Sequence, residues 1–259
     1  MATQTKWHTS IMASTLSSTI DASPRPSLVA VLLGAPQRHY RWTWVTVFAL
    51  CLAPLIVLVY EFATGNLGVN KLERLSHLTG AWALNFLLTT LAMTPLRRWS
   101  VRLARGLKVT YGRRLSDWNW LIRLRRTLGL SAFFYALIHA MIYLALELGF
   151  DFALLAREVA EKPYLIAGAA TLLLLVPLAA TSTNAMMRRL GGNWRRLHRL
   201  IYAAGITGIL HYVWLAKIGV ATPYEYAVVL AVLLGDRVVA AFSRNARQPI
   251  DDGMEAPER

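Results

Sequence analysis

Six long apolar segments, separated by short polar connections, limit what this chain can fold into. They are residues 42–60, 78–96, 128–148, 164–181, 197–216 and 223–242. Each is long enough, or nearly so, to cross the ~30 Å hydrocarbon core of a bilayer, which takes about 20 helical residues. Hydrophobic residues make up 56% of the chain and charged residues 16%, a balance typical of integral membrane proteins. The sequence therefore predicts an all-α fold, an integral membrane six-helix bundle.

Polar and proline residues inside these segments need local partners. Asp236 and Arg237 interrupt the sixth segment, and as adjacent opposite charges near a helix end they are expected to pair and reach toward water. Pro95 and Pro177 lie late in their segments, where a proline is tolerated if neighbouring groups bond to the carbonyls it frees.

The basic residues predict the orientation of the bundle. Of the 28 Lys and Arg residues, 23 lie in the N-terminal segment, the 97–126 loop, the 188–199 segment and the C-terminal tail, and 5 lie in the alternate connections. The positive-inside rule then places both termini in the cytoplasm. This topology explains the net charge of +14, so the charge gives no reason to infer nucleic-acid binding.

The ends of the chain differ in composition from the apolar segments. Residues 1–41 are rich in Ser, Thr and Pro, and we expect them to form a disordered cytoplasmic extension. Residues 42–242 are then the transmembrane domain, and residues 243–259 a cytoplasmic tail.

Four histidines lie in or at the edge of the predicted spans: His77, His139, His198 and His211. Ionisable residues in membrane helices are costly and usually serve a function, although a neutral imidazole can also bond to a neighbouring helix. Zinc and copper sites usually recruit a thiolate, a carboxylate or a third histidine. The first five spans lack interior acidic residues, and the single cysteine, Cys51, lies in an apolar run. Haem b needs only two axial imidazoles, so haem is the favoured ligand.

The spacing of the histidines predicts two redox positions. His198 and His211 are separated by about 19.5 Å of helix, so they lie near opposite membrane faces and cannot bind one iron. In the outer half, either His139 or His77 can be the second ligand to a haem on His211. At the cytoplasmic face, Arg195, Arg196 and Arg199 around His198 suit haem propionates, a flavin phosphate or lipid headgroups, although basic residues there are also a common topology signal.

Several motifs in order resemble one family. The stretches HLTGAWALNFLL, RRTLGLSAFFYALIHAMIYLALELG, KPYLIAG, TSTNAMMRRLGGNWRRLHRLIY and LHYVWLAK are similar to the ferric-reductase-like transmembrane family. Within it they are most similar to the haem-binding membrane subunits of the bacterial periplasmic methionine sulfoxide reductase system. The resemblance covers roughly residues 42–240.

The resemblance implies specific roles. His139 and His211 would ligate haem b from spans three and five, and His198 would belong to a second haem or an electron-input site. His77 would then be a hydrogen-bonding or secondary haem contact at the outer rim. NADPH oxidases of the same family have a second bis-histidine haem, whereas this chain has Arg125–Arg126 where one of its ligands would lie.

The resemblance also implies a multi-pass protein of the bacterial inner membrane without a methionine sulfoxide site of its own. It would accept electrons from the quinone pool or a cytoplasmic flavin reductase. Its partner would be a periplasmic molybdopterin-containing reductase subunit, in a heterodimer. FMN is associated with the family, and no flavin motif is present here to bind it.

Two other functions compete with electron transfer to a protein partner. A ferric or cupric reductase of the same fold would need a nicotinamide and flavin domain, for which the chain has no length left. A transporter or channel with a histidine proton relay would need intramembrane carboxylates, which the first five spans lack.

Overall fold

The computed structural model describes residues 28–109, 111–216 and 221–245, and within them it contains helices and no strands. Residues 1–27 of the predicted extension and 246–259 of the predicted tail lie outside the described residues. The helices are α1 Leu28–Arg38, α2 Tyr40–Ala63, α3 Lys71–Gly106, α4 Asn119–Ile142, α5 Phe152–Glu161, α6 Pro163–Ala180, α7 Asn184–Leu190, α8 Gly192–Leu197, α9 Leu200–Leu215 and α10 Thr222–Asn245. A 3-10 turn, Leu115–Trp118, precedes α4, and a π-helical turn, Tyr143–Glu147, follows it.

Each predicted span lies mostly within a helix, and four of the helical stretches are long and apolar enough to cross a membrane. These four are Tyr40–Ala63, Leu115–Glu147, Pro163–Ala180 and Thr222–Ser243. The helices of the second and fifth predicted spans fall outside this group. The 36-residue α3 includes many charged and polar side chains, and α9 has only 16 residues because it begins at Leu200 rather than at 197. The all-α prediction is confirmed, and the membrane-crossing character of four helical stretches supports the membrane prediction.

Helix α3 lies in the middle of the bundle, packed against α4, α9 and α10. Its polar residues do not disturb this packing, because Thr79 and Thr90 each donate a hydrogen bond to the carbonyl four residues earlier, at 2.7 Å. A second tight pair forms between α6 and α9, where the Thr171 hydroxyl donates to the Thr207 hydroxyl at 2.8 Å. The two histidine-bearing helices therefore pack most extensively against different neighbours. Helix α4 packs against α3, and α9 packs against α6.

Helix α2 presents large apolar side chains to its surroundings. Trp42 is 73% exposed and Leu50 64% exposed, and Ile56, Val59 and Phe62 are exposed in the same way. A helix that is apolar on its outer face as well as its inner face is typical of contact with lipid acyl chains. The outer surface of the bundle is therefore suited to a hydrocarbon environment.

The predicted pairing of Asp236 with Arg237 is wrong, because the two side chains bind different partners. Asp236 forms an ion pair with Arg98 on α3 and accepts a hydrogen bond from the Trp99 indole at 3.0 Å. Arg237 donates to the Leu91 carbonyl at 2.5 Å. Pro95 has no N–H for that carbonyl, so the guanidinium replaces the backbone bond that the proline removes. The Arg237 side chain is therefore the neighbouring group that bonds to a carbonyl freed by Pro95, as the sequence predicts.

The structure corrects two predictions about the connections. Residues 28–38 were expected to be disordered and instead form α1, whose Gly34 lies against the Tyr111 ring. The predicted 97–126 loop is largely helical, since α3 continues to Gly106 and α4 begins at Asn119. Between them, the Asp117 carboxylate accepts hydrogen bonds from the N–H groups of Gly112 and Arg114, both at 3.1 Å, and orders the turn.

Candidate functional site

His139 on α4 and His211 on α9 face each other in the bundle. The centroids of their imidazole rings are 6.1 Å apart and the ring planes are inclined by 79°. The α-helical part of α4 ends at Ile142, and α9 ends at Leu215. Each histidine therefore lies about one turn before the end of its α-helix.

Both rings are held by main-chain oxygen atoms of the neighbouring helices. Nδ1 of His139 lies 3.0 Å from the Ser76 carbonyl oxygen on α3, and Nδ1 of His211 lies 2.7 Å from the Tyr164 carbonyl oxygen on α6. Because a carbonyl can only accept a hydrogen bond, Nδ1 carries the proton and donates it. Nε2 of each ring then has a free lone pair, the form in which a histidine binds a metal.

The separation of the rings fits two axial ligands of one iron. Two imidazoles bonded to one metal ion through Nε2, at about 2 Å each, have ring centroids roughly 6 Å apart. Among the described residues, no three His, Cys, Asp or Glu side chains form a group that could hold a metal ion by themselves. A pair of imidazoles without further protein ligands suits haem, whose porphyrin supplies the remaining nitrogen ligands.

The surroundings of the pair also fit a cofactor site. Gly80 on α3 and Gly168 on α6 lie against the rings of His139 and His211. The Ser76 hydroxyl oxygen is buried without a hydrogen-bond partner in the described part of the chain. Just beyond His139, α4 passes into the π-helical turn at Tyr143, and such turns occur frequently at functional sites.

His77 does not join the facing pair. Its side chain is exposed, although it is near enough to His139 to interact with it electrostatically. The structure thus brings together His139 and His211, and leaves His77 at the surface of α3.

Three other glycines lie where neighbouring helices pack together. Gly205 packs against Leu91 and Leu230, Gly208 against Thr171, and Gly129 against Thr90. They allow close packing of helices, the common role of small residues in membrane bundles.

His198 lies in the two-residue break between α8 and α9, away from the facing pair. Its Nδ1 donates to the Trp194 carbonyl at 3.1 Å, and its ring stacks on the Trp194 indole with centroids 3.9 Å apart. Its Nε2 is buried and makes no hydrogen bond within the described residues. The half-buried Arg125 interacts electrostatically with this ring, whereas Arg126 turns outward and binds the Asn184 side chain at 2.6 Å.

The three arginines predicted near His198 lie together at the surface. Arg195, Arg196 and Arg199 are exposed and line a polar cavity of about 310 Å³ with Gly192 and Asn193. Guanidinium groups in such a cavity can bind phosphate or carboxylate oxygens.

Sequence reasoning missed Gly80, Ser76 and Tyr164. Ser76 and Tyr164 act through their carbonyl oxygens, and side-chain chemistry gives no signal for that. The glycine in the stretch HLTG was a visible signal, since an isolated glycine inside a helix often marks a close approach.

Comparisons with known proteins identify the family of this chain. The profile of the family described as "Ferric reductase like transmembrane component" matches residues 79–209, which include His139 and His198 and end two residues before His211. Three relatives are each described as "Protein-methionine-sulfoxide reductase heme-binding subunit MsrQ". The one from Ralstonia nicotianae is 44% identical over 227 residues, 86% of this chain and 97% of the relative. Those from Azospira oryzae and Rhodospirillum rubrum are 41% and 40% identical, over 78% and 77% of this chain and 81% and 89% of the relatives. The chain therefore belongs to the MsrQ family, within the ferric-reductase-like transmembrane proteins.

Proposed function

We propose that this protein is the haem-binding membrane subunit of a methionine sulfoxide reductase and carries electrons across the bacterial inner membrane. The proposal has six transmembrane helices in a domain of residues 42–242, with both termini cytoplasmic. The observation that carries it is the facing pair of imidazoles, 6.1 Å apart, with both Nδ1 atoms bonded to main-chain carbonyls.

In this proposal His139 and His211 would hold one haem b through their Nε2 atoms. Bound haem supplies an iron that takes up and releases single electrons. The two Nε2 atoms are the only protein ligands the iron needs. The hydrogen bonds at Nδ1 fix each ring's tautomer and orientation, and raise the basicity of Nε2. Both histidines are partly buried in the bundle, which limits the access of water to the pair.

Electrons enter at the opposite face, near His198. Its buried Nε2 has no hydrogen-bond partner among the described residues, so its lone pair is available to a second haem or to a hydrogen-bond donor such as a quinol hydroxyl. Arg195, Arg196 and Arg199, which neighbour His198 in the sequence, line a surface cavity and would bind the anionic groups of a donor. The donor is quinol or a cytoplasmic flavin reductase, and FMN would bind through its phosphate at these arginines.

Electrons leave at the face of His139 and His211, toward a periplasmic molybdopterin-containing subunit. The relatives' description as haem-binding subunits of a protein-methionine-sulfoxide reductase supports this partner.

A reduced-minus-oxidised optical spectrum and haem quantitation on the purified protein test the proposal. We expect the spectrum of a low-spin, six-coordinate b-type haem, and loss of that spectrum in His139→Ala and in His211→Ala. His77→Ala is the matched control, because this exposed histidine is on the neighbouring helix but outside the facing pair. A six-coordinate spectrum that survives His139→Ala and is lost in His77→Ala would exchange the roles of these two residues. Absence of any haem α-band in the wild type would end the proposal.

A further inference from the structure

The two facing histidines are held in the same way by two different helices. On α3, the Ser76 carbonyl accepts the proton of His139 Nδ1, and Gly80 is the residue four positions later. On α6, the Tyr164 carbonyl accepts the proton of His211 Nδ1, and Gly168 is again four positions later. A carbonyl and a glycine one turn beyond it thus recur at both rings.

Helix geometry explains why the glycine stands at that position. In an α-helix the carbonyl of one residue accepts the N–H of the residue four positions later, and its second lone pair remains free. The side chain of that later residue tilts toward the N-terminus and covers the turn that contains the carbonyl. A glycine has no such side chain, so an imidazole from another helix can lie on the turn and reach the free lone pair.

There is too little space between each glycine and its imidazole ring for a side chain. A Cβ atom on Gly168 would lie 2.8 Å from His211 Nδ1 and 3.0 Å from Cε1. A Cβ atom on Gly80 would lie 3.1 Å from both Nδ1 and Cε1 of His139. The first distance forces the ring to move, and the second is tighter than an ordinary van der Waals contact. A ring bonded at Nδ1 to a carbonyl and at Nε2 to iron cannot move without weakening one of the two bonds.

We propose that Gly80 and Gly168 are positioning residues that hold the two axial histidines against main-chain carbonyls and thereby tune the reduction potential of the haem. This inference rests on the proposed haem ligation by His139 and His211. The hydrogen bond at Nδ1 makes Nε2 a stronger donor to iron, and a stronger donor stabilises the oxidised, ferric state. Weakening the bond therefore makes the haem easier to reduce.

The test compares three alanine variants of the purified, haem-loaded protein. For Gly168→Ala we expect haem affinity to fall about tenfold or more, the range seen when such supporting bonds are lost. For Gly80→Ala, with its longer contact, we expect haem to be retained with a more positive midpoint potential and an altered low-spin electron paramagnetic resonance signal. Gly129→Ala is the matched control, because its Cβ would meet Thr90 at an ordinary 3.6 Å and lies away from both rings. We expect it to keep the wild-type potential and haem content.

Alanine has a higher helix propensity than glycine, so a loss of haem in these variants cannot be attributed to weaker helices. Helix content by circular dichroism checks each variant for folding, and if Gly168→Ala does not fold, Gly80→Ala decides. Wild-type potential and spectra in Gly80→Ala, with haem lost in His139→Ala, would overturn the role of the glycines and leave the ligation intact. A six-coordinate spectrum that persists in both His139→Ala and His211→Ala would instead overturn the proposed function itself.

Discussion

The hydroxyl group of Tyr135 on α4 donates a hydrogen bond to the main-chain carbonyl of Cys51 on α2, at 2.9 Å. The same hydroxyl accepts the N–H of Leu55 at 3.0 Å. An undisturbed helix would join that N–H directly to the Cys51 carbonyl. Pro54 lies within this turn. The Tyr135 hydroxyl is inserted between the Leu55 N–H and the Cys51 carbonyl and takes the place of their direct hydrogen bond. Tyr135 thereby joins α2 to α4 one turn before His139.

Replacing this tyrosine tests the connection. Tyr135→Phe leaves the Leu55 N–H and the Cys51 carbonyl without their partner in an apolar surrounding, which costs about 1–3 kcal/mol. We expect a lower Tm in detergent, measured by circular dichroism, with the haem spectrum retained. Tyr60→Phe is the control, because Tyr60 is exposed on the same helix as Cys51. Equal Tm values for the two variants would show that the inserted hydroxyl adds nothing to stability.

Breaking the ion pair between Arg98 and Asp236 should lower the stability of the folded protein more than Tyr135→Phe does. The side chains are 22% and 11% exposed, and the Arg98 Nε and Arg237 Nη1 atoms nearby are buried without hydrogen-bond partners in the described residues. Asp236→Asn would leave the partly buried Arg98 guanidinium without its carboxylate, at a cost of about 3 kcal/mol. We expect a marked loss of folded protein in detergent and a lower Tm. Glu61→Gln breaks the more exposed pair with Arg74 and should change the Tm little.

Electron input at His198 is tested by kinetics. His198→Ala should slow reduction of the haem by quinol or by reduced flavin, because the buried Nε2 is lost from the donor side. The spectrum of the haem on His139 and His211 should change little. Rapid-mixing absorbance measures the rate, and haem quantitation shows whether the variant has lost one of two haems. Complete loss of haem would mean that His198 holds the main site.

The positive-inside rule predicts the location of the C-terminus. A reporter fused after Arg259 should be active if it requires the cytoplasm and inactive if it requires the periplasm, because 23 of 28 basic residues lie on the predicted cytoplasmic side. Activity of a periplasm-specific reporter at this position would contradict the six-helix topology with both termini cytoplasmic.

The sequence predicted the helices and the family correctly because those depend on long patterns. Apolar runs give the segments, and several motifs in order give the family, which the relatives confirm. Helix ends were less predictable. The start of α9 at Leu200 and the continuation of α3 beyond Pro95 depend on partners from other helices, such as the Arg237 guanidinium at the Leu91 carbonyl.

The site was only partly predictable for the same reason. His139, His198 and His211 stood out because imidazoles are rare in apolar segments. Spacing could not choose between His77 and His139, since the choice depends on how α3, α4 and α9 pack. The contacts of Asp236 were mispredicted because the neighbouring Arg237 was visible in the sequence, whereas Arg98 is brought close only by the packing of α3 against α10.

The acceptors at Ser76 and Tyr164 are parts of the backbone, and this affects how the protein can vary over time. Any amino acid at these two positions presents the same carbonyl oxygen, so the hydrogen bond to each imidazole does not depend on the side chain there. The position of each imidazole depends instead on the glycine one helical turn away, where an added methyl group would press against the ring. Directed evolution of the haem potential should therefore find useful variants at the glycines and few at the acceptor positions themselves.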